Sequence, residues 1–243
     1  MRNERVRRAM VLLAALAGVA LTARLGVWQL ERAAQKTGLA QAIEARGKLP
    51  PLPAAELARD EAGAARQFWR PVRLQGRWLA ERTVFLDNRQ MQGRPGFFVV
   101  TPLELAPGDA VLVQRGWVPR DARERTRLPA VPTPAGRVEV AGRIAPPPSR
   151  LYEFAQDASG PIRQNLDLDA FGREIGLPLR PLSVQQLSFG GADGLLREWP
   201  QPSVDVSKHH GYAFQWFALA ALIAGLYVWF QLLRPRLARQ RAA

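Results

Sequence analysis

YAFQWFALAALIAGLYVWFQLL (212–233) is 22 residues long, carries no formal charge and is followed at once by RPRLARQR (234–241). A helix of about 20 apolar residues crosses the hydrocarbon core of a bilayer, so this stretch reads as a transmembrane helix. At the other end, AMVLLAALAGVALTA (9–23) is interrupted by Arg24 and resumes as LGVWQL (25–30). Taken alone, residues 9–30 admit two readings. One is a second span with Arg24 near its outer edge; the other is a signal peptide, for which the basic flank and the small residues near Thr22 and Ala23 suffice. The 212–233 segment favours the first.

The charge pattern orients the pair. The formal net charge is +13, but residues 1–24 and 212–243 hold +4 each, and the rest is spread over the middle among carboxylates. Basic ends beside apolar segments point to a membrane and away from nucleic acid. Arginine before the first span and after the second places both termini in the cytoplasm by the positive-inside rule. Residues 31–211 then lie outside, and Trp28, Tyr212 and Trp216 fall near the outer interface, where aromatics are favoured. Gly18, Thr22 and Gly26 repeat every four residues on one helix face, a small-residue stripe that lets another helix approach. The chain has no cysteine, which excludes disulfides, thiolate metal sites and thiol-based copper delivery.

The expected organisation is a basic N-terminus (1–8), a span (9–30), a helical stalk and linker ending near Pro50-Pro51 (31–66), a β-rich outer domain (67–211), a span (212–233) and a basic tail (234–243). Within the domain, VRLQGRW (72–78), TVFLD (83–87), FFVVTPLEL (97–105), AVLVQRGWV (110–118) and RVEVAGRI (137–144) read as short antiparallel strands, and PLSVQQLSF (181–189) as another candidate strand. AFGREIGL (170–177) reads as a short helix. Turn formers at Asp87-Asn88, Pro95-Gly96, Pro107-Gly108 and 134–136 separate the strands. The fold class is therefore a membrane protein with two terminal helices flanking a mainly antiparallel, barrel-like outer domain with short helices. Alternation puts Arg115 and Trp117 on one face with Val111 and Val113, read as a snorkelling arginine beside a core tryptophan ahead of a substrate contact.

Chemistry-bearing motifs are few. There is no H-E-x-x-H, G-x-S-x-G or phosphate loop, and Ser207 with Asp205 and a histidine suggests a hydrolase only by local spacing. The two histidines are His209 and His210. On a helix, Tyr212, Ala213, Trp216 and Ala220 share the face of His209. That face offers an imidazole, aromatic edges and flat alanine surface, the mixture a flat iron macrocycle needs; it also suits histidines that merely mark the membrane interface.

Three ordered blocks resemble the Surfeit locus protein 1 family of cytochrome oxidase biogenesis factors. RLGVWQLERAAQK (24–36) is similar to that family's L-G-x-W-Q-L-x-R-x-x-x-K. PGFFVVTPLEL (95–105) with VLVQRGWVPRD (111–121) resembles P-G-x-x-V-x-T-P-L and L-V-N-R-G-W-V-P, and HHGYAFQWFALA (209–220) resembles H-L-x-Y-A-x-Q-W-F-x-x-A. Gln114 stands where the family has Asn and His210 where it has Leu; the H-x-x-Y spacing assigns the family histidine to His209. The resemblance implies a non-enzymatic assembly factor for haem–copper cytochrome c oxidase, holding or shielding haem a while the catalytic subunit matures. His209 is then the axial ligand to the haem iron, with Tyr212 and Trp216 as walls. Trp28 and Gln29 on the facing helix, and Arg115, Gly116 and Trp117 in the domain, are partner or structural candidates. The alternative is a protein-only scaffold for an oxidase intermediate. Implied partners are the oxidase catalytic subunit, the haem a synthesis machinery and the lipid bilayer. Without an Arg- and Ser-rich amphipathic presequence, the expected location is a bacterial inner (plasma) membrane with the central domain periplasmic.

Overall fold

In the computed structural model, which describes residues 2–121, 123–124, 127–152, 160–187, 193–199 and 205–240, the N-terminal apolar stretch is part of one helix, α1 (Arg2–Gly47). Ala, Leu, Arg and Gln are strong helix formers, and no proline interrupts the run until Pro50-Pro51 stops it. The stalk is thus continuous with the first span. Contacts divide the chain into two compact units, Met1–Ala42 with Pro202–Ala243, and Ile43–Gln201.

The second unit is a sheet built from β1 (Leu52–Pro53), β2 (Pro71–Trp78), β3 (Val84–Met91), β4 (Arg94–Ala106), β5 (Asp109–Pro119), β6 (Arg137–Ala145), β7 (Ile162–Arg163) and β8 (Leu179–Gln186), with helices α2 (Glu61–Gln67) and α3 (Leu168–Ile175). The sheet runs β1-β2-β6-β8-β5-β4-β3-β7, and β2 also pairs β4. That last pairing, Arg77 with Glu104 and Trp78 with Leu103, closes β2, β6, β8, β5 and β4 into a barrel. Closure is possible because β4 is 13 residues long: its first half carries β3, and its second half is free to meet β2. Leu74, Leu103, Val113, Ile144 and Leu182 pack together as fully buried members of the main core.

All six expected strands are present, with Ser188 and Phe189 of the last outside the described residues. Several local expectations are corrected. The sheet is mainly antiparallel, as expected, and within it β8 runs parallel to β5, as a strand can when a long connection rather than a hairpin delivers it. Residues 48–66 are no linker, since Leu52, Leu57 and Ala64 are buried in the barrel core. Asp87-Asn88 is a bulge inside β3, with Asn88 at φ 57° and its N–H bonded to Asp87 Oδ1. The hairpin turn comes later, at Gln92-Gly93, where both φ values are positive, 52° and 73°. Pro95-Gly96 lies within β4 instead of breaking it.

The C-terminal helix is α4 (Ser207–Tyr227), which passes through a π-helical stretch (Val228–Leu233) into α5 (Arg234–Gln240). This helix and α1 are both long and apolar enough to cross a membrane. Their large apolar side chains point outward: Leu13 is 65% exposed, Leu21 62%, Phe214 74% and Leu222 56%. Such a surface suits lipid and not water, and the backbone donors and acceptors are satisfied within each helix. The protein is a membrane protein with two spans and a barrel-like domain. The small-residue stripe of α1 is taken by the chain's own second helix. A Cβ on Gly18 would lie 3.4 Å from Ile223, and one on Gly26 2.8 Å from the Phe217 ring.

Candidate functional site

Two groups of sequence-expected residues have to be placed, one in each unit. In the barrel, β5 carries Arg115, Gly116 and Trp117. Val99 pairs Gly116 while Val100 pairs Gln114, so Arg115 is the extra residue of a bulge. The bulge breaks the expected alternation. Arg115 stays on the side of Val111 and Val113, its guanidinium 4.9 Å from the ring of Trp78 in that core. Trp117 pairs Phe98 and faces the other way, its Nε1 donating to Arg89 O at 2.9 Å. The two therefore do not share a face.

Nor does Arg115 snorkel. It is 2% exposed; Nη1 donates to Thr133 Oγ1 (2.6 Å) and Nη2 to Pro132 O (2.8 Å). Desolvation lowers its pKa, partly offset by Asp193. Beside it lies a small cavity of about 60 Å³, bordered by Trp78, Gln186 and Asp193. Gly116 is where the chain crosses over itself. A Cβ there would sit 2.6 Å from Leu195 Cβ, and the next residue, Trp117, exchanges backbone hydrogen bonds with Leu196 (2.7 and 2.9 Å). Gln114 Nε2 donates to Ser183 Oγ across the parallel pair, at 2.7 Å. These side chains build the barrel and leave little room for a ligand.

In the helical unit, the first turn of α4 brings polar groups against α1. Ser207 N–H donates to Asp205 Oδ1 (3.0 Å), fixing the start of the helix. Bonds from Ser207 hold the Asp205 carboxyl below the usual range, helped by the nearby charges of Lys208 and Lys36. His209 Nδ1 lies 2.8 Å from Gln29 Oε1. An amide oxygen can only accept, so Nδ1–H donates, and in the neutral ring the lone pair is left on Nε2. Among the described residues, no Ser–His–Asp chain forms: Asp205 serves Ser207, and His209 Nδ1 serves Gln29.

Trp28, Gln29, Lys36, Asp205, Lys208, His209 and Tyr212 line one open cavity of about 290 Å³. His210 is exposed and lies off it. Trp216 sits farther along the helix, half-buried and outside the lining, and Ala213 and Ala220 are buried, so the flat alanine surface expected for a ring is not free. Four of the sequence candidates, Trp28, Gln29, His209 and Tyr212, are thus brought together.

The family model of the SURF1 family matches residues 16–221, a range that includes both halves of this cavity and the whole barrel. The chain belongs to the SURF1 family. It is 24% identical over 210 residues to a SURF1-like protein of Rickettsia conorii, covering 84% of each chain. It is 26% identical to the human Surfeit locus protein 1 over 239 residues, covering 85% of this chain and 72% of that one. It is also 28% identical over 171 residues to the Cytochrome oxidase assembly protein SHY1 of Saccharomyces cerevisiae, covering 67% of this chain and 43% of that one.

The family-like blocks divide between the two units: the helix blocks supply Trp28, Gln29, His209 and Tyr212 to the cavity, while the strand block is enclosed in the barrel. Sequence reasoning missed Lys36 and Lys208. The signal was available for both. Lys36 lies two helical turns from Gln29 on the same face of α1, and Lys208 precedes His209.

The residues fit an iron macrocycle in donor type: one imidazole with its outer nitrogen free, and two aromatic walls. At about 290 Å³ the open cavity falls just short of the usual ligand site, roughly 300–1,000 Å³, so a large ring would lie partly outside it.

Proposed function

We propose that this protein is an assembly factor for haem–copper cytochrome c oxidase, and that it holds or shields haem a in passing while the catalytic subunit matures. Membership of the SURF1 family and the name of the yeast relative support the oxidase side of this reading. The absence of cysteine argues for haem over copper as the cargo. The observation that carries the cargo reading is the Gln29–His209 hydrogen bond, which orients the ring and leaves Nε2 free beside Trp28 and Tyr212. A second group that orients a histidine ligand is a recurring feature of metal-binding imidazoles. In this reading His209 Nε2 would hold the haem iron and Tyr212 and Trp28 would wall the ring, with Trp216 one step farther along the helix. On the same reading the protein sits in the inner membrane with both termini cytoplasmic and the barrel periplasmic, an orientation that the arginine-rich ends support. Its partners are the oxidase catalytic subunit and the haem a synthesis machinery.

The test is the visible spectrum of the protein purified in mild detergent from cells that make haem a. Wild type carries a haem a spectrum, His209→Ala loses it and His210→Ala keeps it. A colourless wild type that still restores oxidase activity would replace this reading with that of a protein-only scaffold.

A further inference from the structure

The cavity beside His209 is also lined by charged side chains, Lys36, Asp205 and Lys208, that the reading of His209 and the two aromatics leaves unused. Of 34 basic residues in the chain only Lys36, Lys48 and Lys208 are lysines, and two of those three line this one cavity. Lys48 is paired with Glu44. By contrast, Lys36 and Lys208 make no hydrogen bond or salt bridge among the described residues; the carboxylate that lines the cavity with them, Asp205, already accepts the Ser207 N–H. Two cations against one committed anion leave the cavity with an excess of positive charge next to aromatic surface. That combination recognises an amphiphile with an apolar body and an anionic edge. Lysine suits such a task in a site that must let go. Its ammonium is a point charge on a flexible stem, without the rigid two-point grip of arginine.

We propose that Lys36 and Lys208 bind the carboxylate side chains of the ring whose iron is taken by His209, so that the cavity selects acid porphyrins over uncharged ones. This rests on the reading of His209 as the iron ligand. The division of labour is spatial: Gln29 and His209 fix the centre of the ring, Trp28 and Tyr212 meet its apolar body, and the two ammonium groups, one from each helix, meet its charged edge. Because Lys36 belongs to α1 and Lys208 to α4, the ligand would bridge the two helices.

The experiment titrates the full-length protein, in an uncharged detergent free of anionic lipid, with iron protoporphyrin IX and separately with its dimethyl ester, following the Soret band. Wild type should bind the acid about tenfold more tightly than the ester, the sum of two partly exposed ion pairs. In Lys36→Gln/Lys208→Gln the affinity for the acid falls to that for the ester, with the Soret position unchanged because His209 still ligates. Lys36→Arg/Lys208→Arg keeps most of the preference. Equal binding of acid and ester by wild type, or a preference that survives the double glutamine variant, overturns the role of the lysines and leaves the His209 reading standing. Absence of any His209-dependent Soret shift with either ring overturns both.

Discussion

Arg115 in the barrel and His209 in the helix pair are both polar side chains set among tryptophans, and they are treated in opposite ways. Arg115 is 2% exposed, with both terminal nitrogens bonded and a tryptophan ring against it. His209 is half-buried, with one ring nitrogen fixed and the other free beside an open cavity. A buried charge without partners is expensive, so a barrel that encloses arginines must spend their hydrogen bonds internally. A binding group must keep one interaction in reserve. The contrast therefore separates residues that hold the fold from residues placed to meet a ligand, by where the unspent group lies: Arg115 Nε is enclosed in the barrel, whereas the His209 ring borders an open cavity.

The largest test of that separation is in β5. Gly116→Val puts a branched side chain where even a Cβ lies 2.6 Å from Leu195, and Trp117→Ala empties a fully buried ring site. Each should destabilise the barrel by about 4 kcal/mol, the usual cost of a large core deletion or a backbone clash. Thermal unfolding in detergent, followed by circular dichroism, measures it. If both variants unfolded like wild type but lost ligand binding, β5 would be part of a site and the contrast would fail.

A smaller effect is expected at the start of β5. Arg180 is 5% exposed in its side chain and forms a two-pronged pair with Asp109 (2.7 and 2.6 Å), which also receives Arg59 at 3.1 Å. Asp109→Asn should cost about 3 kcal/mol, because it leaves a buried guanidinium without its counter-charge. The pair also sets a pH dependence. The hydrogen bond from Arg180 is the main cause that holds the Asp109 carboxyl below its usual value of 3.8. A depressed carboxyl pKa stabilises the fold above the unfolded value, and that contribution is lost as pH falls from there toward the folded value. Acid unfolding should therefore steepen below about pH 4 in wild type and flatten in Asp109→Asn.

How much of this was legible in the sequence depended on the kind of signal. Long apolar runs and two-residue alternation announce themselves, so both helices and all six expected strands were found. A bulge adds one residue without changing composition, so nothing in AVLVQRGWV revealed that Arg115 and Trp117 part company. Pro95-Gly96 has the chemistry of a turn, yet Gly96 is there for a close approach, since a Cβ would lie 2.5 Å from the Trp117 ring. The parallel pairing of β5 with β8 joins residues about 70 apart, beyond any local pattern. Of the candidate site, the family-like blocks held the histidine, its glutamine, both cavity aromatics and Lys36, the last residue of the first block, whereas the meeting of Lys36 and Lys208 at one cavity needed the helices to be brought together.

The smallest expected effect on stability is the sharpest for the comparison. Gln29→Leu removes only the acceptor of one hydrogen bond at the edge of a solvent-open cavity, and His209 Nδ1–H can turn to water instead. The stability change should stay within about 0.5 kcal/mol. If Gln29 exists to aim the imidazole, the ligand should nonetheless bind about tenfold more weakly, the cost found when an orienting partner of a metal-bound histidine is lost. His209→Ala should abolish ligation outright at a similarly small cost in stability. The two variants together read the same hydrogen bond from both ends. Unchanged ring affinity in Gln29→Leu would mean that the histidine orients itself. A large loss of stability in either would move this pair to the structural side of the divide, with Arg115.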